Sequence, residues 1–134
     1  MHRRTFLSGV AGLATVGLIA GPAAAALKLV NYSPEKLQAL RASGKPVLLD
    51  FYASWCTTCR AQERVIESLM DGGAYGTITV MRVDWDTYQT SQLVKDLNIP
   101  RRSTLVLLKG DKELGRVVAQ TSEASIKGLL DKAG

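Results

Sequence analysis

The sequence predicts an α/β domain with a central mixed four-stranded sheet and helices on both faces. Three observations carry this. Short runs rich in Val, Ile and Leu alternate with segments of helical periodicity, the pattern of a mostly parallel sheet built by crossover helices. One run, Val47–Tyr52, is apolar at almost every position, as expected of a strand buried on both faces. Near the end, Thr104–Leu108 and Leu114–Val118 flank the tight turn Lys109–Gly110–Asp111–Lys112, which makes them an antiparallel hairpin.

Residues 1–26 stand apart from this domain. Arg3 and Arg4 lead into a mildly apolar run from Phe6 to Ala20; Gly21 and Pro22 break it, and small residues follow. Adjacent arginines before Thr5, Phe6 and Leu7 resemble a twin-arginine export signal, with cleavage after Ala25 or Ala26. The run is shorter than the roughly 20 residues of a membrane-spanning helix. A periplasmic domain of residues 27–134 is therefore expected.

The remaining elements follow in order. Ser33–Pro34–Glu35 starts a helix with a capping hydroxyl, a proline at the first helical position and an acid in the first turn. Leu37 and Leu40 give it an apolar face, and Ser43–Gly44–Lys45–Pro46 ends it. After the Val47–Tyr52 strand, Thr57–Met70 turns helical, with Ala61, Val65, Ile66 and Leu69 on one side. Ile78–Val83 is a second strand, Ser91–Leu97 a short helix, and Thr121 or Ser122 caps a last helix running to Lys132.

Charge and composition exclude several functions. The formal charge of +5 falls to +3 once Arg3 and Arg4 are removed with no acid, and Arg101–Arg102 is the sole basic doublet left, a poor basis for nucleic-acid binding. The one histidine, His2, lies in the export segment, so the mature domain has no material for a Cys–His hydrolase or a His-ligated metal centre. No glycine-rich phosphate loop is present, and no cofactor is expected.

The chemistry falls to Cys56 and Cys59, spaced C-x-x-C where a buried strand meets a helix. A bridge closing so short a loop would remove little unfolded-state entropy, so the spacing suits redox work better than stapling. At a helix start, unpaired amides and the helix dipole favour a thiolate on Cys56. Cys59, one turn further in, is placed to resolve a mixed disulfide formed on Cys56.

The stretch Asp50–Arg60, with Trp55 before Cys56, resembles the thioredoxin family, and the resemblance runs through nearly the whole mature chain. Within that family, Gly44–Val47 through Trp55–Cys56 is most similar to the soluble C-terminal domain of periplasmic transmembrane disulfide reductases. The resemblance implies a thioredoxin fold, a monomer, protein disulfides as substrates and a membrane-bound electron donor. It makes Asp50 the buried acid that relays a proton to or from Cys59. It also puts Trp55, Ser103 and Thr104 at the substrate-binding edge. Trp85, Arg101 and Arg102 are read as packing or solvated surface. A reductant is preferred, because the Thr57–Thr58 linker lacks the histidine of strongly oxidising relatives.

One position departs from the family. A cis-proline is implied immediately before the threonine that opens the third strand, and Ser103 stands there. Either its hydroxyl donates to a thiolate or it only fills the turn, and Ser103→Pro should restore the family's edge. A serine there also leaves open a second function, binding of copper or zinc by the two thiolates.

Overall fold

A computed structural model of the chain describes Gly12 and residues 29–134. Apart from Gly12, the expected export segment and its cleavage site lie outside the described residues. The order is β1 (Leu29–Asn31), α1 (Pro34–Ser43), β2 (Pro46–Tyr52), α2 (Thr57–Asp71), β3 (Thr79–Asp84), α3 (Trp85–Tyr88), α4 (Gln92–Asp96), β4 (Thr104–Lys109), β5 (Lys112–Val118) and α5 (Glu123–Leu130).

The sheet has five strands in the order β1-β3-β2-β4-β5, one more than the sequence predicted. The added strand, β1, lies parallel to β3. The expectation of a mostly parallel sheet also needs correction. β2 runs parallel to β3, but β4 is antiparallel to both β2 and β5. The cause is the length of the β3–β4 connection. A helix of five residues such as α4 advances only about 7 Å, against about 20 Å for a six-residue strand. It cannot carry the chain back along the sheet, so β4 starts near the end where β3 finished.

Local signals set the helix ends. Ser33 Oγ accepts from the Lys36 amide 3.1 Å away at the start of α1. Gly44 closes that helix at φ +73°, a conformation that a side chain would strain.

β2 is the centre of the sheet and alternates between two cores. Val47, Leu49 and Phe51 pack with Leu37, Met81, Val94 and Val106 on the α1/α4 face. Leu48 packs with Ile66, Leu105, Ile126 and Leu130 on the α2/α5 face. By the two-residue period of a strand, Asp50 points toward the α2/α5 face. It is fully buried there, an acid in an otherwise apolar layer.

Candidate active site

β2 ends in a short turn that delivers Cys56 to the head of α2. Cys56 is the N-cap: its backbone is extended, and its sulfur accepts from the Cys59 amide at 3.1 Å. Sulfur thus takes the place that Ser, Thr, Asp or Asn usually fills, and a thiolate there meets the positive end of a fifteen-residue helix. Both cysteines are free thiols and both are buried, Cys59 completely.

The two thiols differ in acidity. Burial alone would raise Cys56, but hydrogen bonds from the Cys59 thiol, Ser103 and the Cys59 amide, with Arg102 beside it, outweigh that and hold it lowered to about 7. Cys59 is raised, first by burial and then by its hydrogen bond to Cys56. The first thiolate of the pair to form near neutral pH is therefore on Cys56. Alkylation of the reduced protein with iodoacetamide is expected to label Cys56 first, with a half-maximal rate at about pH 7. Preferential labelling of Cys59 would reverse the assignment.

Asp50 is buried on the α2/α5 side of β2, within the field of Cys56, with neither carboxylate oxygen hydrogen-bonded. Its pKa is raised from 3.8 to about 7, chiefly by burial and secondly by the charge of Glu63, with Arg82 opposing. Arg82 stands opposite Asp50 in the β2/β3 register, yet its guanidinium is ion-paired with Glu63 and lies over the Tyr52 ring. It leaves Asp50 without a direct partner.

Trp55 is half exposed at the rim, its Nε1 donating to both oxygens of Asp86 at 3.1 and 2.9 Å. Arg102 stacks on the opposite part of this wall, its guanidinium carbon 4.5 Å from the Trp55 ring centroid. Arg102 is thus built into the site, where the sequence reading took it for a solvated loop charge. Trp85 is partly buried against the cluster of Ala53, Cys56 and Cys59. Thr104 is buried, and its hydroxyl donates to the Arg101 carbonyl at 2.8 Å, tying the loop to itself.

Ser103 has a trans peptide bond and φ +63°. Its amide donates to the Phe51 carbonyl at 2.9 Å, and its carbonyl accepts from the Ala119 amide at 2.8 Å. Its hydroxyl sits 3.2 Å from Cys56 Sγ and 3.1 Å from Cys59 Sγ. Proline has no amide hydrogen and holds φ near −65°, so Ser103→Pro could restore the family's edge only by moving this loop off its present path. Sequence reasoning also missed Gln62. Its Nε2 bridges the carbonyls of Ser103 and Gln120, at 2.9 and 3.0 Å. The spacing of Cys59, Gln62 and Ile66 on one helical face is the signal that marks it as buried.

A strand–dithiol–helix unit with one activated and one shielded sulfur is the site of a thiol–disulfide oxidoreductase. Comparison with known proteins agrees. Residues 29–132 match the Thioredoxin family. The thioredoxin of Chlamydia pneumoniae is 30% identical over 100 residues, covering 75% of this chain and 93% of that protein. The bifunctional thioredoxin reductase/thioredoxin of Mycobacterium leprae is 29% identical over 84 residues, which span 63% of this chain but 18% of that protein. Among solved structures, Trxlp from Edwardsiella tarda superposes with a TM-score of 0.70 at 31% identity, covering 76% of this chain and 97% of that one. The chain belongs to the thioredoxin family, and its activity is thiol–disulfide exchange through Cys56 and Cys59.

Proposed function

We propose that this protein is an exported reductant of protein disulfides, with Cys56 as nucleophile, Cys59 as resolver and Asp50 as proton carrier. The observation that carries the reading is the asymmetry of the dithiol, a lowered thiol at the helix cap beside a raised and fully buried one. Cys56 attacks a substrate disulfide and expels one substrate thiolate. Cys59 then gives up its proton to Asp50 and displaces the second substrate sulfur as a thiolate. Asp50 at about 7 can hold or release that proton near neutral pH.

The Thr57–Thr58 linker and the Arg3–Arg4 start favour a periplasmic reductant fed by a membrane-bound donor. The likeness to the soluble domain of transmembrane disulfide reductases favours the same role. The monomer reading rests on the family resemblance. A cleft of about 500 Å³ between α1 and α4, lined by Tyr32, Leu37, Arg41 and Leu93 among others, holds neither cysteine. Cys56 lies instead next to the exposed Trp55, a surface side chain that suits a protein-sized substrate. The copper or zinc reading is less favoured on its donor set. Among the described residues no third Cys, His, Asp or Glu is grouped with the two sulfurs, and zinc takes four ligands.

The test is to express a Cys59→Ser variant of the full chain in a bacterium with a twin-arginine pathway and to recover it by compartment. Mixed disulfides on Cys56 are expected in the periplasmic fraction, on a polypeptide whose intact mass starts at Ala26 or Leu27. Full-length protein confined to the cytoplasm would refute export. Periplasmic protein carrying no mixed disulfide would refute the substrate class.

A further inference from the structure

Ser103 fills the place where the family resemblance implies a proline, and it is fully buried. Among the described residues it is the one side chain hydrogen-bonded to both sulfurs, at 3.2 Å to Cys56 and 3.1 Å to Cys59. The seat is built rather than incidental. The Phe51 carbonyl, the Ala119 amide and the Gln62 side chain hold its backbone. Its φ of +63° is uncommon for a residue with a side chain. A hydroxyl has two acceptor lone pairs but a single proton, so it can donate to one sulfur at a time.

We propose that the Ser103 hydroxyl is a catalytic residue, donating its hydrogen bond to Cys56 during attack and to Cys59 during resolution. The assignment rests on the disulfide-exchange reading above and adds a residue to it. In the resting dithiol the hydroxyl donates to the Cys56 thiolate, which the Cys59 thiol also favours with its single proton, and Cys59 Sγ stays 3.1 Å from Ser103 Oγ. As Cys56 forms its bond to a substrate sulfur, the substrate disulfide breaks and the leaving sulfur takes the electron pair, then a proton. Cys56 now bears no charge and is a poor acceptor. Rotation about the Cβ–Oγ bond turns the hydroxyl to Cys59 as that thiol loses its proton. Cys59 then bonds to Cys56, the mixed disulfide breaks, and the second substrate sulfur leaves with its electron pair and is protonated. The protein has given up two electrons and the Cys59 proton. The first substrate sulfur takes its proton from solvent, which received one when Cys56 ionised, so the substrate gains two electrons and two protons in all. No backbone movement is needed.

The other titratable or charged groups around the sulfurs are Arg102 from the same loop and Asp50 from β2, the latter within the field of Glu63 and Arg82. A test must therefore change Ser103 alone. Ser103→Ala removes the hydroxyl and keeps the Cβ, while Ser103→Gly removes both and suits the left-handed backbone. An aromatic disulfide reagent with a coloured thiol product reports attack as its first release and resolution as its second. Both variants are expected to move the pH midpoint of Cys56 alkylation up by about one unit and to slow the second release about tenfold. An unchanged midpoint and second phase in either folded variant would overturn the proposal. So would a change in Ser103→Ala that is absent from Ser103→Gly, which would trace the effect to backbone strain. Failure of wild-type protein to reduce insulin, with both coloured phases present and dependent on Ser103, would remove the reductant reading and leave the hydroxyl's assignment standing.

Discussion

Replacing Asp50 with Asn is expected to stabilise the reduced protein at about pH 8 by up to roughly 4 kcal/mol, with the two proteins converging as pH falls below about 4. The carboxyl is fully buried, lacks a hydrogen-bond partner, and has its pKa raised from 3.8 to about 7. Between those values the folded state keeps a proton that the unfolded state has lost. Stability therefore falls as pH rises through that window, and is flat with respect to Asp50 above and below it. Asparagine is nearly isosteric with the protonated acid and leaves the same polar atoms without partners. What it removes is the cost of ionisation. Cys56 works in the opposite direction: its lowered pKa adds stability above about 7 that grows until the unfolded thiol also ionises near 9.0. Subtracting wild type from variant at each pH removes that contribution apart from the coupling of the Cys56 charge to Asp50. Denaturant unfolding of the reduced proteins from pH 4 to 8 makes the measurement. Parallel stability curves would show that Asp50 does not change ionisation on folding. The same variant is expected to slow resolution by Cys59 while sparing the first attack, because in the proposed cycle only the second step passes a proton to Asp50.

The parts of the fold that local chemistry determines were legible in the sequence. The apolar run of β2, the Cys56 cap and the amphipathic α2 lie in one stretch, and each has its own signal. The hairpin was legible because Gly110 supplies the positive φ of a tight turn. Other features depend on distant chain. β1 has three residues, none fully buried, too few for a two-residue period to register. The antiparallel setting of β4 depends on how far α3 and α4 advance, which no residue of β4 encodes. At the site, Cys56, Cys59 and the burial of Asp50 could be read from their neighbours. The stacking of Arg102 and the partners of Gln62 could not, because these come from distant chain: Trp55 for the first, the carbonyls of Ser103 and Gln120 for the second. An arginine doublet in a loop reads as solvated until Trp55, fixed by Asp86 from another element, provides a face for it to stack on.

Ser103→Pro brings that non-local dependence to a measurement, and it is expected to cost about 3 kcal/mol or more of stability. Read from the family pattern alone, the substitution would restore a missing proline. In the folded chain it meets two obstacles. The Ser103 amide donates to the Phe51 carbonyl at 2.9 Å, and proline would leave that carbonyl without this donor beside the fully buried Cys59. The native φ of +63° is closed to a ring that holds φ near −65°. The loop must therefore leave its present path, and the Ala119 and Gln62 contacts to the Ser103 carbonyl would be disturbed with it. Ser103→Gly is the control, since glycine keeps the amide and accepts the left-handed backbone at little cost. Denaturant unfolding should rank wild type and Ser103→Gly close together and Ser103→Pro well below both. Because the proline variant also lacks the shared hydroxyl, its release of a mixed disulfide should be slowed at least as much as in Ser103→Gly. A proline variant as stable as wild type would show that this loop can adopt a second path, and that the left-handed turn at Ser103 is a preference of the sequence rather than a demand of the fold.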